Sequence, residues 1–312
     1  MPRPHLALFA ALAVSLGVSG ISGRIDAYVL DVAMGIGINI ILAVSLNLVN
    51  GHTGQFSLGH AGFMAVGAYL SSAVTIHLGP RLLGAEGGAG WGEGGVFAGA
   101  LLIGGLCAAF AGLLIGLPSL RLKGDYLALV TLGFGEIIRV VFQNVEALGG
   151  ALGLIGMPAY TTFGWIYGCV GLTIFTVGCL VNSTYGRGFL ATHDDEIAAE
   201  AVGLDTTRYK IVAFVTGAFF AGIAGGLFAH FKLAIDPRGF DFARSIEIVV
   251  MVILGGMGNT LGVILAAVLL TILPEVLRPI AEYRMIIYSL LLILLMLIRP
   301  QGLFRFPLGK GR

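Results

Sequence analysis

The stretch "IVAFVTGAFFAGIAGGLFAHF", residues 211–231, runs for 21 residues without an Asp, Glu, Lys or Arg. An α-helix needs about 20 apolar residues to cross the hydrocarbon core of a bilayer. "MIIYSLLLILLMLI", residues 285–298, is a second uncharged run. The rest of the chain agrees: of 312 residues, 57% are hydrophobic and only 11% are charged. A soluble globular protein carries roughly 25% charged residues, so this chain cannot coat a water-facing surface. The runs are continuously apolar rather than alternating, which selects helices over a β-barrel. The fold class is therefore an all-α polytopic membrane protein.

Ten spans account for the hydropathy, at about 6–22, 28–49, 57–77, 96–119, 126–147, 162–182, 211–230, 245–257, 260–277 and 284–299. The first follows a basic start and resembles a signal peptide, but no small-x-small cleavage site follows, so it is read as a retained span. The eighth is short and stops at "GGMGN" (255–259), a run poorly suited to a helix interior. It is either a short span or half of a re-entrant pair. With both termini in the cytoplasm, inner segments carry ten Lys and Arg against seven in outer segments. The positive-inside rule favours that orientation. Residues 1–312 then form one transmembrane domain, and 186–210 form its longest cytoplasmic loop. Glycine is abundant, 49 of 312, which suits close helix packing and broken helices. Cys107, Cys169 and Cys179 lie in apolar spans, without metal or disulfide spacing.

The loop is the charged exception. "GRGFLATHDDEIAAEAVGLDTTRYK" (186–210) holds five of the 17 acids: Asp194, Asp195, Glu196, Glu200 and Asp205. Thr192 suits an N-cap, the acids after it suit the first turn, and Gly203 suits the C′ position. The spacing predicts a helix of about three turns, far too short to span. Ile197, Ala198, Ala201 and Val202 give it a small apolar face. A plain connector needs neither caps nor such a face, whereas a helix docking in a partner's groove needs both.

Two Gly-rich segments echo each other: "GHTGQFSLG" (51–59) and "GGMGNTLG" (255–262). Irregular backbone at membrane depth survives only where it lines a cavity or is buried in protein. Gly51, Gly54, Gln55, Ser57, His60, Gly255, Gly256, Gly258 and Asn259 are accordingly the candidate pathway or gate residues. The alternative for all of them is close packing alone.

Five blocks in order carry a resemblance: "SLNLVNGHTGQFSLGHAGFMAVGAYLSS" (45–72), "KGDYLALVTLGFGEIIRVVFQN" (123–144), the charged loop with its following span, "VVMVILGGMGNTLGVILAAVLL" (249–270) and "RPQGLF" (299–304). The chain resembles the permease subunits of branched-chain amino acid ABC transporters, the LivM type. The resemblance implies one permease domain, translocating branched-chain or related amino acids across the bacterial inner membrane by alternating access. It implies a coupling helix that docks on a cytoplasmic ATP-binding subunit, through Ala191, Asp194, Asp195, Glu196, Ala199 and Gly203. His193 departs from the basic Arg usual in that family, and a mostly neutral imidazole leaves the acids less compensated. The implied partners are a second, homologous permease in a heterodimer, two ATP-binding subunits, a periplasmic solute-binding protein and the lipid bilayer, with no nucleic acid. Urea or short amides are alternative solutes.

The chain has no Gly-x-x-x-x-Gly-Lys-Ser/Thr loop, its lysines being at 123, 210, 232 and 310. It is thus not expected to be an enzyme or to bind a cofactor, and ATP and Mg would act in partner subunits. An ion-coupled transporter needs ionisable groups in the membrane. The candidates are Asp31, Glu247 and the pair Glu136 and Arg139, which can neutralise each other at i, i+3. Ser57 and His60 could meet on one helix face, but a nucleophile and base without an orienting acid make a poor case for catalysis.

Overall fold

A computed structural model describes residues 26–80, 91–119 and 124–278, with isolated positions between 283 and 303. The first and tenth expected spans lie outside the continuously described residues. Those between are helices: α1 (Ala27–Asn47), α2 (His60–His77), α3 (Trp91–Ser119), α4 (Asp125–Asn144), α5 (Phe163–Val181), α6 (Thr184–Asp194), α7 (Glu196–Ala201), α8 (Thr206–Lys232), α9 (Phe242–Gly255) and α10 (Thr260–Val276). Five are long and apolar enough to cross a membrane, namely α1 with its π-helical extension to His52, α3, α4, α5 and α8. The protein is an all-α membrane protein.

The expected limits shift in instructive places. α3 begins at Trp91, ahead of the expected limit at about 96. α2 begins only at His60, because residues 53–59 turn without forming a helix. α8 runs back to Thr206, where Asp205 caps it by accepting from the Arg208 N–H at 3.1 Å. α9 is 14 residues long and ends at the glycine run, after which Asn259 caps α10.

α8 is the central helix and packs against α2 and α3. Glycine makes this possible. A Cβ at Gly67 would overlap the Gly222 backbone, and one at Gly225 would overlap the Met64 carbonyl. Small residues let membrane helices approach to backbone contact. α1 buries every residue from Gly37 to Asn47. The outer faces carry the opposite signature: Leu102, Leu106, Phe110, Leu114 and Leu117 of α3 are all half exposed or more. In water such a stripe would be an aggregation hazard, whereas lipid is its natural solvent.

Helix direction alternates along the chain. Residues 51–59, Gly124, 186–206 and 255–259 gather at one end of the bundle. Asp31, Lys232 and Glu275 gather at the other. At that far end a two-stranded antiparallel pairing, β1 (Leu154–Ile155) with β2 (Ala234–Ile235), ties the segment after α4 to the segment after α8. The four intramembrane ionisable candidates are all paired. Glu136 meets Arg139 at 2.6 Å, Glu247 meets Arg244, and Asp31 faces Lys232 at 3.5 Å.

Candidate functional site

The charged loop folds as two helices, not the single one its spacing predicts. Thr192 is buried inside α6 and donates its hydroxyl to the Gly188 carbonyl at 2.8 Å. The cap is Asp195, whose Oδ1 accepts from the N–H groups of Ile197 and Ala198 at 3.0 and 3.1 Å. Both residues are cap formers by type; burial decides between them. α7 is therefore six residues long. An isolated helix of that length has no stability of its own in water, so its ends must hold it.

Its C-terminus is a Schellman closure. Gly203 stands at φ 89°, its N–H bonds the Glu200 carbonyl at 2.9 Å, and the Leu204 N–H bonds the Ala199 carbonyl at 3.0 Å. This is the 5→2 and 6→1 pair that satisfies the last carbonyls of a helix. Two side-chain ties fix α7 to α8. Glu196 meets the buried Lys210 ammonium at 2.7 Å, and the Thr206 hydroxyl donates to Glu200 at 2.6 Å. Sequence reasoning misses Lys210, because residues 14 apart across a turn carry no periodic signal. Ala199 is buried and Ala191 is half-buried, so they seat the helices. Asp194 projects into solvent, and Ile197, Ala198, Ala201 and Val202 form an exposed apolar face.

Replacing Gly203 tests this closure. A Cβ there would meet nothing within 4 Å, so any cost is backbone strain, on the order of 1–3 kcal/mol for a β-branched residue held in the left-handed region. Gly203→Val is expected to lower hydrogen-exchange protection at the Leu204 amide, while Gly203→Asn largely keeps it. Equal protection in both variants would remove the closure from the account.

The Gly-rich break lies directly beneath. α1 runs into the π-helical turn Leu48–His52. Gly54, at φ 68°, lies under the His193 ring, where a Cβ would stand 2.9 Å from the imidazole. Gln55 and Ser57 are buried, and the Ser57 N–H donates to Asn50 Oδ1 at 3.2 Å. His60 does not meet Ser57; its Nε2 pairs with the Ser45 hydroxyl at 2.9 Å. The supposed nucleophile and base are thus apart. Among the described residues, the Gln55 amide atoms, Asn50 Nδ2 and His52 Nε2 have no hydrogen-bond partner. Buried polar groups normally have one, so this layer departs from ordinary interior packing.

The two glycine segments touch. A Cβ at Gly51 would overlap the Gly258 backbone, and the Gly258 N–H donates to Asn47 Oδ1 at 2.9 Å. Gly256 and Gly258 hold φ of 90° and 80°. Gly255 packs against Gly262 and Val263, while Asn259 Oδ1 accepts from the Gly262 N–H at 3.3 Å. An open cavity of about 210 Å³ lies between loop and break, lined by Gly54, Gln55, Asp194, Asp195, Glu196 and Lys210 among others. Gly255 to Asn259 do not line it; the backbone contact of Gly258 with Gly51 joins them to the segment that does. A helix with an exposed face thus stands on a polar cavity, with the glycine contact beyond it.

Residues 28–298 match the family described as the branched-chain amino acid transport system permease component. The chain is 39% identical over 308 residues to the high-affinity branched-chain amino acid transport system permease protein LivM of Salmonella typhimurium, covering 88% of this chain and 69% of that protein. The LivM protein of Escherichia coli is similar to the same extent. The Escherichia coli permease LivH is 24% identical over 293 residues, 86% of this chain and 91% of its own length. No solved structure matches the chain.

Proposed function

The chain belongs to the branched-chain amino acid transport permease family, and from that premise we propose that it is a transmembrane subunit of an ATP-binding-cassette importer, moving leucine, isoleucine, valine or close relatives across the bacterial inner membrane by alternating access. The observation that carries this reading is α7. It is a six-residue helix, capped at both ends, anchored to α8 by Glu196 and Lys210, with Ile197, Ala198, Ala201 and Val202 turned outward. A tie of that kind suits a part that must move the span behind it when a cytoplasmic partner presses on it.

In this reading ten helices cross the membrane with both termini in the cytoplasm, and α7 docks on an ATP-binding subunit. ATP and Mg act there, and this chain binds neither. Similarity to LivM and, more distantly, to LivH supports a heterodimer of two related permeases. A periplasmic solute-binding protein delivers the amino acid at the far end. The Gly51–Gly258 contact is the exit gate. Closure of the ATPases moves α7 and α8, shifts His193 over Gly54, and parts the two glycine segments. The unpaired amides of Gln55 and Asn50 then meet water or solute.

The test is purification of this chain from detergent-solubilised membranes, with co-purifying proteins identified by mass, followed by leucine uptake in proteoliposomes. A second permease, P-loop ATPases and ATP-dependent uptake are the expected result. A chain that purifies alone and moves leucine without ATP would overturn the proposal.

A further inference from the structure

At the end of the bundle opposite α7, four helices enclose an open cavity of about 130 Å³. We propose that this cavity is a transient binding site for a zwitterionic aliphatic amino acid within the permease. The inference rests on the importer reading and adds where the solute is held.

The charge pattern carries it. Asp31 of α1 and Glu275 of α10 bring two negative charges to the cavity; Lys232 of α8 and Arg244 of α9 bring two positive ones. The formal sum of these lining side chains is zero, with the two signs on different helices; behind them Glu247 sits on Arg244 and Arg278 lies near Glu275, adding one charge of each sign. A free amino acid has the same pattern, one ammonium and one carboxylate on a single carbon. Burying a lone charge is costly unless it is paired, so a site of this kind accepts a zwitterion and rejects a cation or an anion of the same shape.

The pairs already present leave capacity for a guest. Lys232 Nζ lies 3.5 Å from both Asp31 oxygens, a loose contact with both side chains about half exposed. A solute ammonium can take Asp31 while its carboxylate takes Lys232. Arg244 is more tightly held. It gives one N–H to Glu247 and one to Asn39 Oδ1 at 2.7 Å. A guanidinium has five N–H donors, which leaves three for a carboxylate. Asn39 is itself fixed, because its Nδ2 donates to the Thr271 hydroxyl at 2.9 Å. The donor is therefore preorganised, as a specific site requires.

The remaining wall is apolar: Val32 and Ile38 of α1, and Phe228 and Phe231 of α8. Such a wall suits a branched aliphatic side chain. Gly35 lies between Asp31 and Asn39 at i, i+4, i+8, hence on the same face of α1. A Cβ at Gly35 would meet nothing within 4 Å, so this glycine serves no close helix contact and leaves the cavity open.

The test uses the purified transporter assembly without its solute-binding protein. Leucine binding is measured by equilibrium dialysis beside leucinamide, which lacks the carboxylate, and 4-methylpentanoate, which lacks the ammonium. Leucine is expected to bind at least about tenfold more tightly than either, since each analogue leaves one charged partner unmatched. Gly35→Leu, a good helix former that fills the cavity, and Asp31→Asn, which keeps volume and removes charge, are each expected to weaken leucine binding about tenfold or more. Equal binding of leucine and leucinamide, or leucine binding unchanged in both variants, would overturn the site. Wild-type assembly that takes up leucine with ATP yet binds none without the binding protein also overturns it, and leaves the importer reading intact. Leucine bound at this cavity by an assembly that shows no ATP-dependent uptake would uphold the site and overturn the importer reading.

Discussion

Asp195→Lys is expected to cut ATP-driven leucine uptake by ten- to a hundredfold while the chain still inserts and keeps its membrane fold. The reason lies in how little holds α7 together. Asp195 accepts two backbone N–H bonds at the helix start. Losing such a cap costs about 0.5–2 kcal/mol, and placing a cation at a helix N-terminus adds about 0.3–1 kcal/mol. A six-residue helix has no reserve to absorb that sum, on the order of 1–3 kcal/mol, and the fraction of chains with α7 formed falls accordingly. The membrane fold is spared because α7 contributes only Ala199 to the buried set. Asp195→Asn separates the two roles of the side chain. Asn caps nearly as well as Asp, so this variant should retain most uptake if the cap matters, and lose it if the charge itself pairs with the ATPase. Uptake by Asp195→Lys at the wild-type rate, with normal expression, would remove α7 from the coupling path.

The spans were the most legible part of the fold. α8 and α1 are written around long uncharged runs, residues 211–231 and 32–52, and nothing but a helix satisfies their backbone in lipid. The interruption at 255–259 was also legible, because glycine runs do not sit well in helices. What the sequence withheld was every choice between local equals. Thr192 and Asp195 are both cap residues, and only the burial of Thr192 against Gly188 makes Asp195 the start of α7. The tie from Glu196 to Lys210 crosses a turn, and the pairing of Leu154 with Ile235 crosses 81 residues. Neither leaves a periodic trace. The two Gly-rich segments could be matched to each other by composition, but not their contact, which needs the Asn47 side chain as a bridge. The far-end cavity was the least legible, since Asp31 reads as an isolated acid until the fold brings Lys232 to it from 201 residues further along the chain.

The glycines of α8 give the second large effect. Gly225→Val is expected to stop the chain accumulating in the membrane, and Gly225→Ala to lower its thermal stability in detergent by several degrees. A Cβ at Gly225 would overlap the Met64 carbonyl and stand 2.9 Å from the Ala68 nitrogen. Both obstacles are α2 backbone, which cannot turn aside as a side chain can. Overfilling a packed interior usually costs about 1–3 kcal/mol, and a β-branched residue against backbone lies at or above the top of that range. Stability of a native protein is only about 5–15 kcal/mol, so the Val variant removes a large share of it. Gly168 of α5 is the matched control. A Cβ there meets nothing within 4 Å, and Ala favours a helix over Gly by up to about 1 kcal/mol. Gly168→Ala should therefore melt at the wild-type temperature or above it. Parallel thermal denaturation of the two Ala variants decides the matter. Equal midpoints would mean that α2 and α8 do not rely on backbone contact, and that the glycines of α8 serve motion rather than packing.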